Sequence, residues 1–151
     1  MSHTRVLFLC IGNSCRSPMA EGFARTYGSD VLQASSAGLA PAMSVAPLTH
    51  KVMLEKNIDV GNIYPKDFKT TDGQADLIIN MSGMELPVKP AVPVERWEIL
   101  DPIGESEEIY REVRDQIELR VMQLILGLRA RKKTKPAARS KVDTRRRSLG
   151  Q

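Results

Sequence analysis

The sequence predicts one doubly wound α/β domain, a four-stranded parallel sheet with helices on both faces. Three observations predict it. Short apolar runs bounded by turn residues, such as Val6-Leu-Phe-Leu9 and Leu77-Ile-Ile79, suit strands covered on both sides. They alternate with stretches whose apolar residues recur at helical spacing, the order that builds parallel β-α-β units. A chain of 151 residues with 42% hydrophobic content has enough apolar mass for one core and too little for two.

The first strand is expected at Val6–Leu9 and ends at a Gly-containing turn. Ser17-Pro18 reads as a helix start, with a capping hydroxyl, a proline at the first helical position and Glu21 in the first turn, so a helix follows to about residue 27. Val31–Ala37, closed by Gly38, is a second strand, and residues 39–46 form a loop containing Pro41. Pro47 opens a helix whose stripe is Leu48, Val52 and Met53, running to Lys56. Residues 66–73 read as a short helical turn and loop, Asp76-Leu-Ile-Ile-Asn80 as the third strand, and Arg96–Leu100 as the fourth, after a segment broken by Pro87, Pro90 and Pro93. Ile109, Val113, Ile117, Val121, Leu124, Ile125 and Leu128 mark one face of a long helix from about 105 to 129.

The net charge of +4 conceals a division of the chain. Residues 129–151 hold ten of the 22 Lys and Arg and one acid, Asp143, which leaves residues 1–128 with a net charge of −5. Residues 1–130 are therefore expected to form the catalytic domain and residues 131–151 a basic, disordered tail, since the tail has almost nothing apolar to bury. A solvated appendage is the plainer expectation for it, and contact with nucleic acid or an anionic lipid surface the alternative. No stretch approaches the roughly 20 apolar residues of a membrane span, and two cysteines five positions apart cannot cross-link distant elements. A reducing cytoplasm is expected, and neither a metal nor another cofactor is called for.

Chemistry concentrates in Cys10-Ile11-Gly12-Asn13-Ser14-Cys15-Arg16. A loop between a strand end and a helix start gathers unpaired N–H groups and the positive end of the helix dipole, and Arg16 adds a planar two-pronged donor, so the loop reads as an oxyanion cradle. Cys10 is the nucleophile, in a field that favours thiolate. Ser17 would donate its hydroxyl to the sulfur, and Gly12 and Asn13 suit the positive φ such loops often need. Asp101, past the end of the fourth strand, is placed as general acid and then general base. Cys15 is either a bystander or a redox partner able to form a reversible disulfide with Cys10. His50 reads as a partly exposed helical residue, Trp97 as core or pocket wall, and Met43, Met81 and Met84 as gap fillers.

Val6 through Glu21 closely resembles the opening of the low molecular weight protein tyrosine phosphatases, and the likeness continues through Ser36-Ala-Gly38, Asp76–Asn80 and Asp101-Pro102. It covers about residues 4–128. The resemblance implies Cys10 as nucleophile, Arg16 as phosphate ligand, Ser17 as assistant, Asn13 as shaper of the loop and Asp101 as general acid. Thioredoxin-coupled arsenate reductases share this fold and loop, and Ser36-Ala-Gly-Leu39 and the run from Glu107 to Ile117 lean toward them. Those enzymes pass oxidation to cysteines beyond the third strand, where this chain has Asn80-Met-Ser82-Gly-Met-Glu-Leu-Pro87. The phosphatases usually flank the phosphate site with aromatics, where this chain has Ile103 and residues 39–46 without a ring.

The expected function is therefore hydrolysis of phosphotyrosine or other aryl phosphomonoesters, on a phosphorylated protein or a small substrate, through a phosphocysteine on Cys10. The alternative is arsenate reduction with an external small thiol acting at the same cysteine. A non-catalytic oxyanion- or polyanion-binding module is the third reading.

Overall fold

The computed structural model describes residues 3–71 and 75–139, with side chains as far as residue 133. In chain order the elements are β1 (Thr4–Cys10), α1 (Arg16–Gly28), β2 (Leu32–Gly38), α2 (Pro47–Leu54), a single 3-10 turn at Phe68–Thr70, β3 (Leu77–Asn80), β4 (Val94–Arg96) and α3 (Glu107–Arg139). The strands form one sheet in the order β2-β1-β3-β4, parallel throughout. β1 pairs on both sides, Cys10 opposite Gly38 on β2 and Leu9 opposite Asn80 on β3, which explains an uninterrupted apolar run with no polar face.

Alternate residues of β1 enter two cores. Val6 and Phe8 pack with Met19 and Phe23 of α1, Val52 and Met53 of α2, and Ile117, Val121 and Ile125 of α3. Leu7 and Leu9 face the other way, against Ile78, Ala37 and Phe68 of the 3-10 turn, with Leu39, Leu86 and Val92 from loops. All three α-helices share the first face; the second, also expected to carry helices, is covered by the 3-10 turn and by loops, because the stretch after β3 is broken by prolines. Among the described residues no helix is long and apolar enough to cross a membrane.

Several boundaries differ from expectation. α1 begins at Arg16 with Cys15 at its N-cap position and no side-chain cap, so Ser17 is inside the helix and its hydroxyl is spent elsewhere. Glu21 lies beyond the first turn and is buried. β4 occupies Val94–Arg96 rather than 96–100, all three residues exposed at the sheet edge. Past Trp97, whose N–H donates to Asn80 O at 3.1 Å, the chain leaves the ladder and turns its Ile99 carbonyl to Arg16.

α3 runs 33 residues, to Arg139 rather than 129. Ala, Arg and Lys at 130–133 are strong helix formers, and Arg129 and Lys132 both tie back to Asp30, so the stretch expected to be disordered starts as helix. The rest of the expected tail, residues 140–151, lies outside the described residues. Of the three methionines read as gap fillers, Met81 is buried, whereas Met43 and Met84 are exposed because they sit on loops outside either core. His50 is half-buried and Trp97 is core.

Candidate active site

β1 delivers Cys10 to the carboxyl edge of the sheet, where ligands of doubly wound folds bind. The next five residues then turn the chain into α1. Their carbonyls are tied outward to the following loop: Cys10 O accepts from Leu39 N (3.1 Å), Ile11 O from Ala40 N (2.8 Å), Gly12 O from Ala42 N (2.9 Å) and Ser14 O from Ala46 N (3.2 Å). The N–H groups of residues 12–16 have no backbone acceptor among the described residues. With the α1 dipole behind them, these unpaired donors fit the oxyanion cradle expected from the sequence. Gly38 lets the sheet come close: a Cβ there would lie 2.6 Å from Ile11 O and 2.9 Å from Asn13 N.

The turn is held by Asn13, fully buried, at φ 53°. Asparagine tolerates this left-handed conformation better than most residues. Its amide nitrogen donates to Ser17 Oγ (2.8 Å) and Ser36 Oγ (3.0 Å), and its oxygen accepts from Lys66 N (2.9 Å). Ser36 in turn donates to Glu21 Oε1 at 2.5 Å, and Glu21 pairs with Arg25 at 2.7 Å. Gly12, expected to share the positive φ, is not in that region; Asn13 alone makes the turn.

Cys10, the expected nucleophile, and its expected partners are brought together. Cys10 Sγ lies 3.0 Å from Ser17 Oγ and accepts from Ser17 N at 3.4 Å. Ser17 Oγ accepts from Asn13, so its own proton can go to the sulfur or to Ala37 O, 3.4 Å away. Arg16 is buried: Nη1 donates to Met81 O (2.5 Å) and Ile99 O (3.1 Å), Nη2 lies 3.3 Å from Asp101 Oδ2, and Nε is enclosed without a partner among the described residues. A buried guanidinium nitrogen without an acceptor is costly, and an oxyanion in the cradle would supply one. Asp101 is partly exposed at the edge of the pocket, its Oδ1 accepting from Ile103 N at 3.1 Å.

The pocket measures about 150 Å³ and is lined by Cys10, Gly12, Cys15, Arg16 and Asp101, with Ala42 and Ile103 as its apolar wall. Cys15 is buried, its Sγ 3.5 Å from the Tyr110 hydroxyl. Burial pushes the Cys15 thiol above its ordinary value and the Tyr110 hydroxyl above its own, so at neutral pH both keep their protons. Among the described residues no three His, Cys, Asp or Glu side chains cluster as a metal site.

Five contributors were not legible in the sequence. Tyr110 sits one position off the apolar stripe of α3 and reads there as packing. Ser36 and Glu21 look like an ordinary strand serine and helix acid, and the Met81 and Ile99 carbonyls carry no residue signal at all. Ser36-Ala-Gly38 was the one hint, through its likeness to related sequences.

Residues 5–135 match the family described as low molecular weight phosphotyrosine protein phosphatase. The chain belongs to this family. Within it, the chain is 35% identical over 126 residues to a glutaredoxin arsenate reductase from Synechocystis sp., a match covering 80% of this chain and 95% of that one. It is 38% identical over 133 residues to an arsenate reductase from Shouchella clausii, covering 80% and 94%. A solved structure of an arsenate reductase in the phosphate-binding state superposes with a TM-score of 0.76 at 35% identity, over 83% of this chain and 98% of the other. The fold, a four-stranded parallel α/β sheet with its loop at the carboxyl edge, is that of these family members.

Proposed function

We propose that this chain is an arsenate reductase in which Cys10 works with an external small thiol. The observation that carries the reading is the pocket: about 150 Å³, walled by Ala42 and Ile103 in place of rings, it suits an inorganic tetrahedral oxyanion better than an aryl ester. The similarity to proteins named arsenate reductase over most of their length supports it.

In the proposed reaction, arsenate sits on the N–H groups of residues 12–16 and on Arg16. The Cys10 thiolate attacks arsenic, an S–As bond forms, and one arsenate oxygen leaves as water after protonation from Asp101. An external thiolate then attacks Cys10 Sγ. The S–As electron pair passes to arsenic, which departs as arsenite, and a mixed disulfide remains on Cys10. A second external thiol resolves it, so that two thiols become one disulfide and arsenic falls from the +5 to the +3 state. The thiols must come from outside, because the chain holds only Cys10 and Cys15 and the latter is a buried, protonated thiol.

Phosphomonoester hydrolysis, the first expectation from sequence, becomes the second reading. It is favoured by Asp101, which stands beside Arg16 where a leaving oxygen would need a proton. The test is a pair of assays on one preparation, arsenate-dependent consumption of a small thiol and hydrolysis of p-nitrophenyl phosphate, each repeated with Cys10→Ser. Arsenate-driven thiol oxidation that disappears in Cys10→Ser is expected. Negligible thiol oxidation beside steady, Cys10-dependent hydrolysis would reject the reductase reading in favour of the phosphatase.

A further inference from the structure

α3 buries one face against the sheet and turns the opposite ridge to solvent. On that ridge lie Glu112, Gln116, Leu119, Gln123, Leu126, Ala130 and Lys133, all exposed and spaced alternately four and three residues apart. This is the spacing of a helix seam that meets another helix. Leu119 and Leu126 remain 60% and 56% exposed, although each offers a large side chain. Gly127 beside them has nothing within 4 Å of where its Cβ would stand.

The ridge is also self-complementary in charge when reversed. Laid antiparallel on a copy of itself with a two-fold axis near Gln123, the ridge sets Leu119 against Leu126, Gln116 against Ala130 and Glu112 against Lys133, each twice by symmetry. Glu112 and Lys133 form no ion pair within the chain among the described residues. A parallel pairing would instead set Glu112 against Glu112 and Lys133 against Lys133. We infer that two copies of this chain associate through α3, antiparallel, with Leu119 and Leu126 at the centre and Glu112–Lys133 pairs at the ends. The overlap from 112 to 133 is roughly 33 Å of helix at 1.5 Å per residue. One helix pair of that length stands at the small end of specific interfaces, so the dimer is concentration-dependent and dissociates in the micromolar range.

Sedimentation velocity on the full chain from 1 to 300 μM, about the range such an interface spans, should show a monomer–dimer equilibrium. Leu119→Glu/Leu126→Glu should abolish it. Glu112→Lys should weaken it about five-fold, and Glu112→Lys/Lys133→Glu should restore it, as exposed but paired charges allow. Register is read by oxidative cross-linking: Gln123→Cys should link to its own copy, whereas Gln116→Cys should not, because the two would stand about 21 Å apart along the axis. Equal linking by both would overturn the antiparallel arrangement. A monomer at every concentration would overturn the interface. So would a ridge covered by the chain's own residues 140–151, read as dimerisation appearing only after their deletion.

Discussion

Asn13 carries the loop geometry, and its replacement separates two physical contributions. Asn13→Ala removes three hydrogen bonds, two buried ones to Ser17 and Ser36 and a partly buried one from the Lys66 N–H, and leaves a non-glycine residue at φ 53° without the local bonding that eases it. At about 1 kcal/mol net per hydrogen bond and about 1 kcal/mol for the left-handed backbone, the loss should be roughly 4 kcal/mol. Asn13→Gly loses the same bonds but not the backbone penalty, and after its greater unfolded-state entropy it should be better than alanine by about 0.5–1 kcal/mol. Urea denaturation followed by fluorescence of Trp97, the single and buried tryptophan, measures both. Binding of inorganic phosphate should weaken in both variants, since Ser17 loses the donor that orients it toward Cys10. An alanine variant within about 0.5 kcal/mol of the parent, or a glycine variant less stable than the alanine one, would refute the reasoning.

Further outcomes follow from the same geometry. Gly38→Ala should lower both activity and stability, the latter by about 1–3 kcal/mol, because its Cβ meets loop backbone and not a flexible side chain; unchanged phosphate binding would mean that the loop yields easily. Arg16→Lys should cut turnover at least about a hundred-fold despite keeping the charge, since one ammonium cannot replace the planar fork that holds Met81, Ile99 and Asp101 together; near-normal kcat/KM would dismiss the cradle. Ile117→Ala, fully buried between α3 and the sheet, should cost about 3 kcal/mol in the same denaturation assay. Arg111 and Arg114 hold the Glu55 carboxyl down at about 2, so its contribution is complete above the ordinary carboxylate range and fades as pH falls from about 4.5 toward 2. Glu55→Gln should flatten the acid limb of Tm against pH in that window, and identical acid limbs would remove the α2–α3 ion pair from acid stability.

The order of elements and the position of the loop between β1 and α1 were legible because both depend on local patterns. A four-residue apolar run must be covered on both sides, and Cys10 through Arg16 falls where a strand gives way to a helix. Boundaries were less legible where long-range partners set them. β4 stops at Arg96 because the Ile99 carbonyl is drawn to Arg16. α3 continues past 129 because Arg129 and Lys132 find Asp30, almost a hundred positions away. Ser17 left the capping role the sequence assigned it because Asn13 and Cys10 claim its hydroxyl.

The sequence by itself determined the α/β class, the nucleophile candidate and the thiol count, since periodicity and composition need no knowledge of what lies across the fold. Only the tertiary structure decided how the site is built. The bond chain from Glu21 through Ser36 and Asn13 to Ser17, the enclosure of Arg16 and the burial of Cys15 against Tyr110 all join residues from separate elements. Which side chains meet across those elements depends on sheet order and helix packing, and neither is written in any local stretch of the chain.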